Sequence, residues 1–386
     1  MYLLLLAIIY LAFISLGLPD STLGAAWPTI YEELNIPISY MGIISVTISA
    51  GTIISSLFTD RAIAKLGTRG VTAASIFLTA LSLFGFSTAT SFYQICLWSI
   101  PYGFGAGAID AGLNNYIALH YNSRHMNWLH CFWGVGTVIS PNIMSIALAK
   151  GGWQSGYRLL SAIQIAIALI VLLSFPLWKV NKSKNPEDAE VKPISIIDAL
   201  KIPGAVAVFT GFFAYCAAES TAMLWTSSYF EGVFGVSKGE AATLGSIFFI
   251  GMTAGRFVSG LISERLGDSK MIRLGAAVSA VGIIVLSIPV KEVAIVGFII
   301  FGLGCAPIYP SIVHSTPERF GSDKSQSIIG IQMASAYLGS IIMPSIFGII
   351  ANFISITLMP LYLAIFVVVM LVMITKADKI TLNKTI

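Results

Sequence analysis

The chemistry open to this chain is set by a handful of side chains: Asp20, Asp110, Glu219, Arg256 and the imidazole of His130, each within a run that is otherwise apolar. An ionised group in hydrocarbon costs several kcal/mol, so such residues face a bundle interior or a water-filled cavity. Asp20 lies in "GLPDSTLGAAWPTI", residues 17 to 30, with Gly17 and Gly24 at i−3 and i+4 on its helical face. Glycine there lets a neighbouring helix or a solute approach closely. Asp110 repeats the arrangement, with Gly107 and Gly103 one and two turns before it and Asn114 one turn after. Burial penalises the charged form of a carboxyl, so a carboxyl whose hydration changes takes a proton from one side and releases it to the other. The competing reading of each acid is a structural hydrogen bond or a helix-helix pair.

Glu219, with Tyr215 at i−4 and Thr226 at i+7, offers strong acceptors to a hydroxyl-rich solute. It fits a further proton site or a bond between helices equally well. His130 shares a face with Trp133 and Gly134, and an imidazole near neutrality donates, accepts or relays a proton. A satisfied structural histidine is the alternative. Gln332, with Ser335 and Tyr337 nearby, and Asn114 supply amide groups, which also serve as interhelical glue worth about 0.6 kcal/mol on average. Trp133, Trp225 and Tyr309 are candidates for the flat apolar wall that one face of a pyranose ring requires, although most membrane aromatics pack or mark interfaces.

The elements that must hold these groups are legible in the composition. Of 386 residues, 56% are hydrophobic and only 10% charged, with a mean hydropathy of +0.86, far from a soluble domain. Apolar stretches long enough to cross a bilayer recur at 2–31, 38–60, 70–90, 92–119, 127–149, 154–178, 201–230, 240–263, 271–290, 293–314, 325–351 and 355–375, twelve in all. The first lacks a basic n-region and is interrupted by Pro19 and Asp20, so it reads as a span and not a signal peptide. Cys96, Cys131, Cys216 and Cys305 stand alone in different spans; neither disulfide nor metal spacing is present.

Cations collect on one side of an even-numbered topology: Arg61, Lys65, Arg69, Arg124, Lys179, Lys182, Lys184, Lys192, Arg265, Lys270, Arg273, Arg319, Lys324, Lys376, Lys379 and Lys384, against Lys150, Lys238 and Lys291 in the opposite loops. The positive-inside rule then places both termini and the central linker in the cytoplasm. The net charge of +4 reflects topology and gives no reason to expect nucleic acid. The polar segment "KVNKSKNPEDAEVKPISIIDALK" divides the chain into a six-span bundle at 1–178, a cytoplasmic linker at 179–200 and a second bundle at 201–386. The halves repeat each other: "DST" at Asp20 returns as "EST" at Glu219, "KLG" at Lys65 as "RLG" at Arg265, and "GFGAGAID" at Gly103 as "GLGCAPIY" at Gly302, all offset by about 200 residues.

The loop "FTDRAIAKLGTRG" resembles the Asp-Arg...Gly-x-Arg signature of the major facilitator superfamily, with a longer gap between its Arg and Gly than the commonest form, and "GRFVSGLISERLG" is similar to its counterpart in the second half. Within that superfamily the chain most resembles the fucose permease-like sugar:proton symporters. The likeness is carried by "GLPDSTLGAAWP", "GFGAGAIDAGLNN", "LHCFWGVGTVISP", "GLGCAPIYPS...TPERFG" and "GIQMASAYLGSIIMPSIFG", over nearly the full length. It implies an all-α membrane protein of twelve transmembrane helices in two pseudo-symmetric six-helix bundles. It also implies that the acids at the positions of Asp20 and Asp110 couple proton movement to sugar. Asp60, Arg61, Lys65 and Arg69, with Arg256 and Arg265 in the second half, are expected to form an ion-pair network at a cytoplasmic gate that favours one access state.

The expectation is therefore a monomeric, multi-pass transporter of the inner or plasma membrane, without metal or cofactor, that imports a small neutral hydrophilic solute of the monosaccharide class together with protons. Proton-driven export of drugs or metabolites is the rival within transport, and sodium coupling a further option. An intramembrane enzyme is disfavoured because HExxH, GxSxG and phosphate-loop patterns are missing from the sequence.

Overall fold

The computed structural model describes residues 2–37, 40–179, 194–236, 240–241 and 244–381, and its described secondary structure is helical. Most of the linker, with Lys182, Lys184 and Lys192, lies outside the described residues, as do Lys238 and Lys384. The helices are α1 (Tyr2–Asp20), α2 (Thr22–Glu33), α3 (Met41–Thr88), α4 (Phe92–His120), α5 (Ser123–Leu173), α6 (Ile196–Lys201), α7 (Ala205–Phe234), α8 (Ile247–Leu266), α9 (Asp268–Leu286), α10 (Lys291–Cys305), α11 (Ile308–His314), α12 (Thr316–Phe320), α13 (Ser322–Ile350) and α14 (Met359–Thr381).

Among the described residues eight continuous stretches are long and apolar enough to cross a membrane, and three of them, Met41–Thr88, Ser123–Leu173 and Ser322–Thr381, have the length of two crossings. Adding α4, 29 residues long, gives the twelve crossings expected from the hydropathy pattern. The observed helices run a few residues beyond several apolar runs, because a polar end satisfies its backbone as well as an apolar one.

Glycine dictates the joints. Gly67 has φ 69° and Gly267 φ 76°, a backbone that side-chain-bearing residues rarely adopt. They end the tripeptides "KLG" and "RLG", so that repeated sequence is a repeated turn. Glycine also sets the helix crossings. A Cβ on Gly103 would lie 2.2 Å from the Ile48 carbonyl oxygen, and one on Gly302 would lie 2.3 Å from that of Phe248. On the facing helices a Cβ on Gly51 would lie 3.2 Å from Gly103 Cα, and one on Gly251 would lie 2.0 Å from the Ile299 carbonyl oxygen. Both crossings are thus built alike, at the offset that relates Asp20 to Glu219.

The chain divides into two compact units, one of Met1–Tyr116, Leu129–Ile194 and Ser322–Ala334, the other of Ile117–Trp128, Ser195–Gly321 and Ser335–Ile386. In the first, Ser327 Oγ donates to Asp60 Oδ2 at 2.6 Å, Ser325 Oγ to Asn115 Oδ1 at 2.6 Å, and Gly330 rests on the Ser56 carbonyl. In the second, Arg124 pairs with Glu264 at 2.8 Å and Ser123 Oγ donates to Asp268 at 2.7 Å. His314 lies 2.6 Å from Asp268 Oδ2 through Nδ1 and 2.9 Å from the Tyr121 carbonyl oxygen through Nε2. Large apolar residues such as Phe77, Leu97, Leu173, Ile284 and Phe353 are exposed, as a lipid-facing surface requires.

Candidate functional site

Asp20 is the last residue of α1. Pro19 precedes it, and Ser21 interrupts the helix before α2 resumes at Thr22. The break leaves the carboxylate exposed with two neutral donors: Tyr102 Oη to Oδ1 at 2.9 Å and Trp133 Nε1 to Oδ2 at 2.8 Å. Trp133 reaches it because Gly17 and Gly136 let α1 and α5 touch; a Cβ on Gly17 would stand 2.1 Å from the Trp133 carbonyl oxygen, and one on Gly136 2.3 Å from that of Ile14. Ser21 Oγ donates to the Thr137 carbonyl at 2.6 Å and pins the same crossing. Of the two glycines flanking Asp20 in sequence, Gly17 admits a helix, whereas Gly24 borders a cavity of about 170 Å³ that Asp20 also lines.

Asp110 belongs to a second polar set in the same unit. The Asn114 amide nitrogen donates to Asp110 Oδ1 at 2.8 Å and to its carbonyl at 2.9 Å, and Asn114 Oδ1 lies 3.1 Å from His130 Nε2. All three side chains are buried, Asn114 completely. The Phe13 ring meets His130 edge-on at 5.5 Å. His130 and Trp133 are one helical turn apart on α5, so this helix carries one member of each acid's set. Asn114 is a bridge between Asp110 and His130, with its amide already engaged by both.

The second unit holds the repeat-related acid in a different environment. Glu219 Oε1 lies 3.6 Å from Arg256 Nη2, with both side chains nearly buried. The anticipated partners of Arg256 were gate residues; it is instead the counter-cation of Glu219, because its place in mid-α8 faces α7 and not a loop. Beside them Tyr215 Oη donates to the Cys305 carbonyl at 3.0 Å, and Tyr309 packs on Phe212 and Tyr215 at 4.7 and 6.3 Å. Trp225 stands apart: its Nε1 donates to the Pro344 carbonyl at 2.9 Å and its ring packs on Phe347 and against Gly348. Gln332 is fully buried in the first unit.

Among the residues assigned to a gate, Asp60 accepts from Ser327 and from the backbone N–H of Arg61, Arg61 covers the Phe58 ring, and Arg69 donates to the Phe175 carbonyl. Arg265 is exposed. The expected mutual ion pairs are replaced by hydroxyl, backbone and ring contacts. One ionic cluster was not anticipated: Asp378 pairs with Arg319, Oδ1 to Nη2 at 2.6 Å, and accepts a hydrogen bond from Arg273 Nη2 at 3.1 Å. Tyr102 was also missed, although it directly precedes the repeated "GFGAGAID" stretch; its phenol matters only because α4 crosses α1 at Asp20.

Chemically, the first unit presents acids held by neutral donors, able to exist with or without a proton while keeping their bonds. The second presents an acid whose charge Arg256 balances.

Comparisons with known proteins agree with this architecture. The chain is 24% identical over 386 residues to Bypass of stop codon protein 6 of Saccharomyces cerevisiae, covering 90% of this chain and 77% of that one. It is 23% identical over 362 residues to the glucose/mannose transporter GlcP of Bacillus subtilis, covering 88% and 86%. Among solved structures it resembles the E. coli fucose:proton symporter FucP, with a TM-score of 0.81 at 16% identity over 97% of this chain and 99% of that one. It also resembles the proton:xylose symporter XylE, with 0.79 at 13% over 96% and 94%. At such identities these likenesses establish the fold. The model of the Major Facilitator Superfamily matches residues 9–244 and 207–382, nearly the whole chain, and with the repeated glycine crossings and the paired intramembrane acids this makes the protein a transporter of that superfamily.

Proposed function

We propose that the protein is a proton-coupled symporter that imports a small neutral hydrophilic solute, a monosaccharide, by alternating access. The observation that carries the reading is the bonded arrangement of the first unit: Asp20 between Tyr102 and Trp133, and Asp110 tied through Asn114 to His130 one turn away on α5. A proton taken up by either acid neutralises a charge that would otherwise oppose its removal from water. Solute binding to Trp133 and His130 is then linked to those protons through shared hydrogen bonds. In the second half Glu219 offers acceptors oriented by Arg256, and Tyr309 an apolar wall; Gln332 and Trp225 complete the assigned contacts. The likeness to the glucose/mannose transporter GlcP, the fucose:proton symporter FucP and the proton:xylose symporter XylE supports the solute class.

In this reading the halves 1–178 and 201–386, joined by the linker 179–200, rock against each other, with both termini in the cytoplasm of a cell whose inner or plasma membrane holds the monomer. Asp60, Arg61, Arg69 and Arg265 belong to the gate, and the bond from Ser327 to Asp60 supports that assignment for Asp60. The test is uptake into proteoliposomes under an imposed pH gradient against a panel of sugars, nucleosides and dyes. Sugar accumulation that collapses with the gradient is the expected result. Dye extrusion in its place would establish export, and gradient-independent uptake would refute coupling.

A further inference from the structure

Within the first unit the 170 Å³ cavity runs from Met41, the first residue of α3, to Asp20. One wall is a single face of α3, with Met41, Ser45, Ile48 and Ser49 at i, i+4, i+7 and i+8, a path of about 12 Å at the helical rise. The opposite wall is the α1–α2 joint, where a Cβ on Gly24 would meet only the Met41 methyl, 3.9 Å away. The space is roomy enough for several water molecules. It falls well below the roughly 300 Å³ at which small-molecule pockets begin. The cavity is therefore sized for water and not for a solute.

Its lining is mixed: Pro19, Leu23, Ile48, Leu83 and Phe86 are apolar, while Asp20, Ser45, Ser49 and Tyr102 supply polar side chains, enough partners to hold water. Tyr157 is only 1% exposed, its ring is clamped between Phe86 and Trp153, and its Oη has no hydrogen-bond partner in the protein. That hydroxyl is closed even to water and takes no part in the hydration of the cavity. Asp20 is two-sided: Oδ1 meets Tyr102 on the cavity, while Oδ2 meets Trp133, which does not line it.

We propose that this cavity is a hydrated proton-entry chamber for Asp20, separate from the Trp133 surface assigned to the solute. The inference rests on the coupling reading above. In the step it serves, a hydronium ion reaching Asp20 along the chamber waters breaks one O–H bond and becomes water. The proton forms an O–H bond on the carboxylate, and no electron changes hands. The ion thus has a route that bound solute does not block.

The test uses the full-length protein in lipid nanodiscs with no solute present. After a pH jump, the emission of Trp133, isolated as wild type minus Trp133→Phe, follows protonation of its hydrogen-bond partner, and Asp20→Asn serves as the control that removes the signal. Gly24→Leu and Ser49→Leu fill the chamber and are expected to keep the amplitude while slowing the change about tenfold, equivalent to ~1.4 kcal/mol on the barrier. An unchanged rate, or a signal that survives Asp20→Asn, overturns the proposal. Because leucine there can impair folding, Ser45→Cys and Ser49→Cys are labelled in parallel with a small water-borne methanethiosulfonate. Reaction above the wild-type background is expected, and inert thiols mean a dry cavity and overturn the proposal. Neither readout involves a solute. Failure of the uptake panel would sink the symport reading and leave the chamber standing; inert thiols in a protein that performs proton-driven uptake would sink the chamber alone.

Discussion

Gly17 and Gly24 flank Asp20 on one helical face, yet the same substitution should have opposite consequences at the two. An alanine methyl at position 17 would lie 2.1 Å from the Trp133 carbonyl oxygen. Real contacts of that kind do not fall below 3.0 Å, so α5 must retreat from α1 by about 1 Å. Overpacking of this sort costs roughly 1 to 3 kcal/mol. The retreat also stretches the bond from Trp133 Nε1 to Asp20 Oδ2, now 2.8 Å, past the limit of about 3.5 Å at which it remains a hydrogen bond. Losing a bond to a charged group adds roughly 1.5 to 3 kcal/mol. Gly17→Ala should therefore lower the thermal unfolding midpoint by several degrees and change Trp133 emission. Gly24→Ala meets only a methyl at 3.9 Å and should leave the midpoint unchanged or raise it slightly, since alanine is the better helix former by about 1 kcal/mol. Differential scanning fluorimetry of the purified pair decides the matter. Equal midpoints would refute the account of α1 and α5 meeting at Gly17 and of open space at Gly24.

Three further outcomes follow from the same geometry. Asp110→Asn should abolish proton-driven accumulation while leaving solute exchange measurable in proteoliposomes, and Asn114→Leu, which removes the link to His130, should share that phenotype; undiminished uphill uptake in either counts against the mechanism. Glu219→Gln leaves Arg256 buried without its counter-charge and should cost roughly 3 to 5 kcal/mol, much of it recovered when Arg256→Met is added; a double-mutant cycle on unfolding midpoints tests this, and additive effects would exclude a coupled pair. Gly67→Ala and Gly267→Ala should each lose about 1 to 3 kcal/mol from a strained positive φ, and a marked inequality between them, read by denaturant or thermal unfolding, would argue that the two turns are not equivalent.

The amino-acid sequence by itself determined that this is a helical membrane protein. Hydrocarbon accepts only helices or closed barrels, whose backbone bonds are internal, and continuous apolar runs of about twenty residues report the helix. It also exposed the duplication, because "KLG" and "RLG" must end in glycine to make the same turn. The rare acids were equally visible, since charges in lipid are too costly to be incidental. What each acid meets was decided by the tertiary structure alone. Asp20 and Glu219 are repeat partners, yet one accepts from a phenol and an indole while the other faces Arg256, because the donors come from helices distant in sequence. Gly17 and Gly24 look alike in the chain and differ only in whether another helix lies opposite. Tyr102, Ser45 and Ser49 carried no signal in the sequence, for a hydroxyl acquires a role only when packing puts a space, or a carboxylate, in front of it.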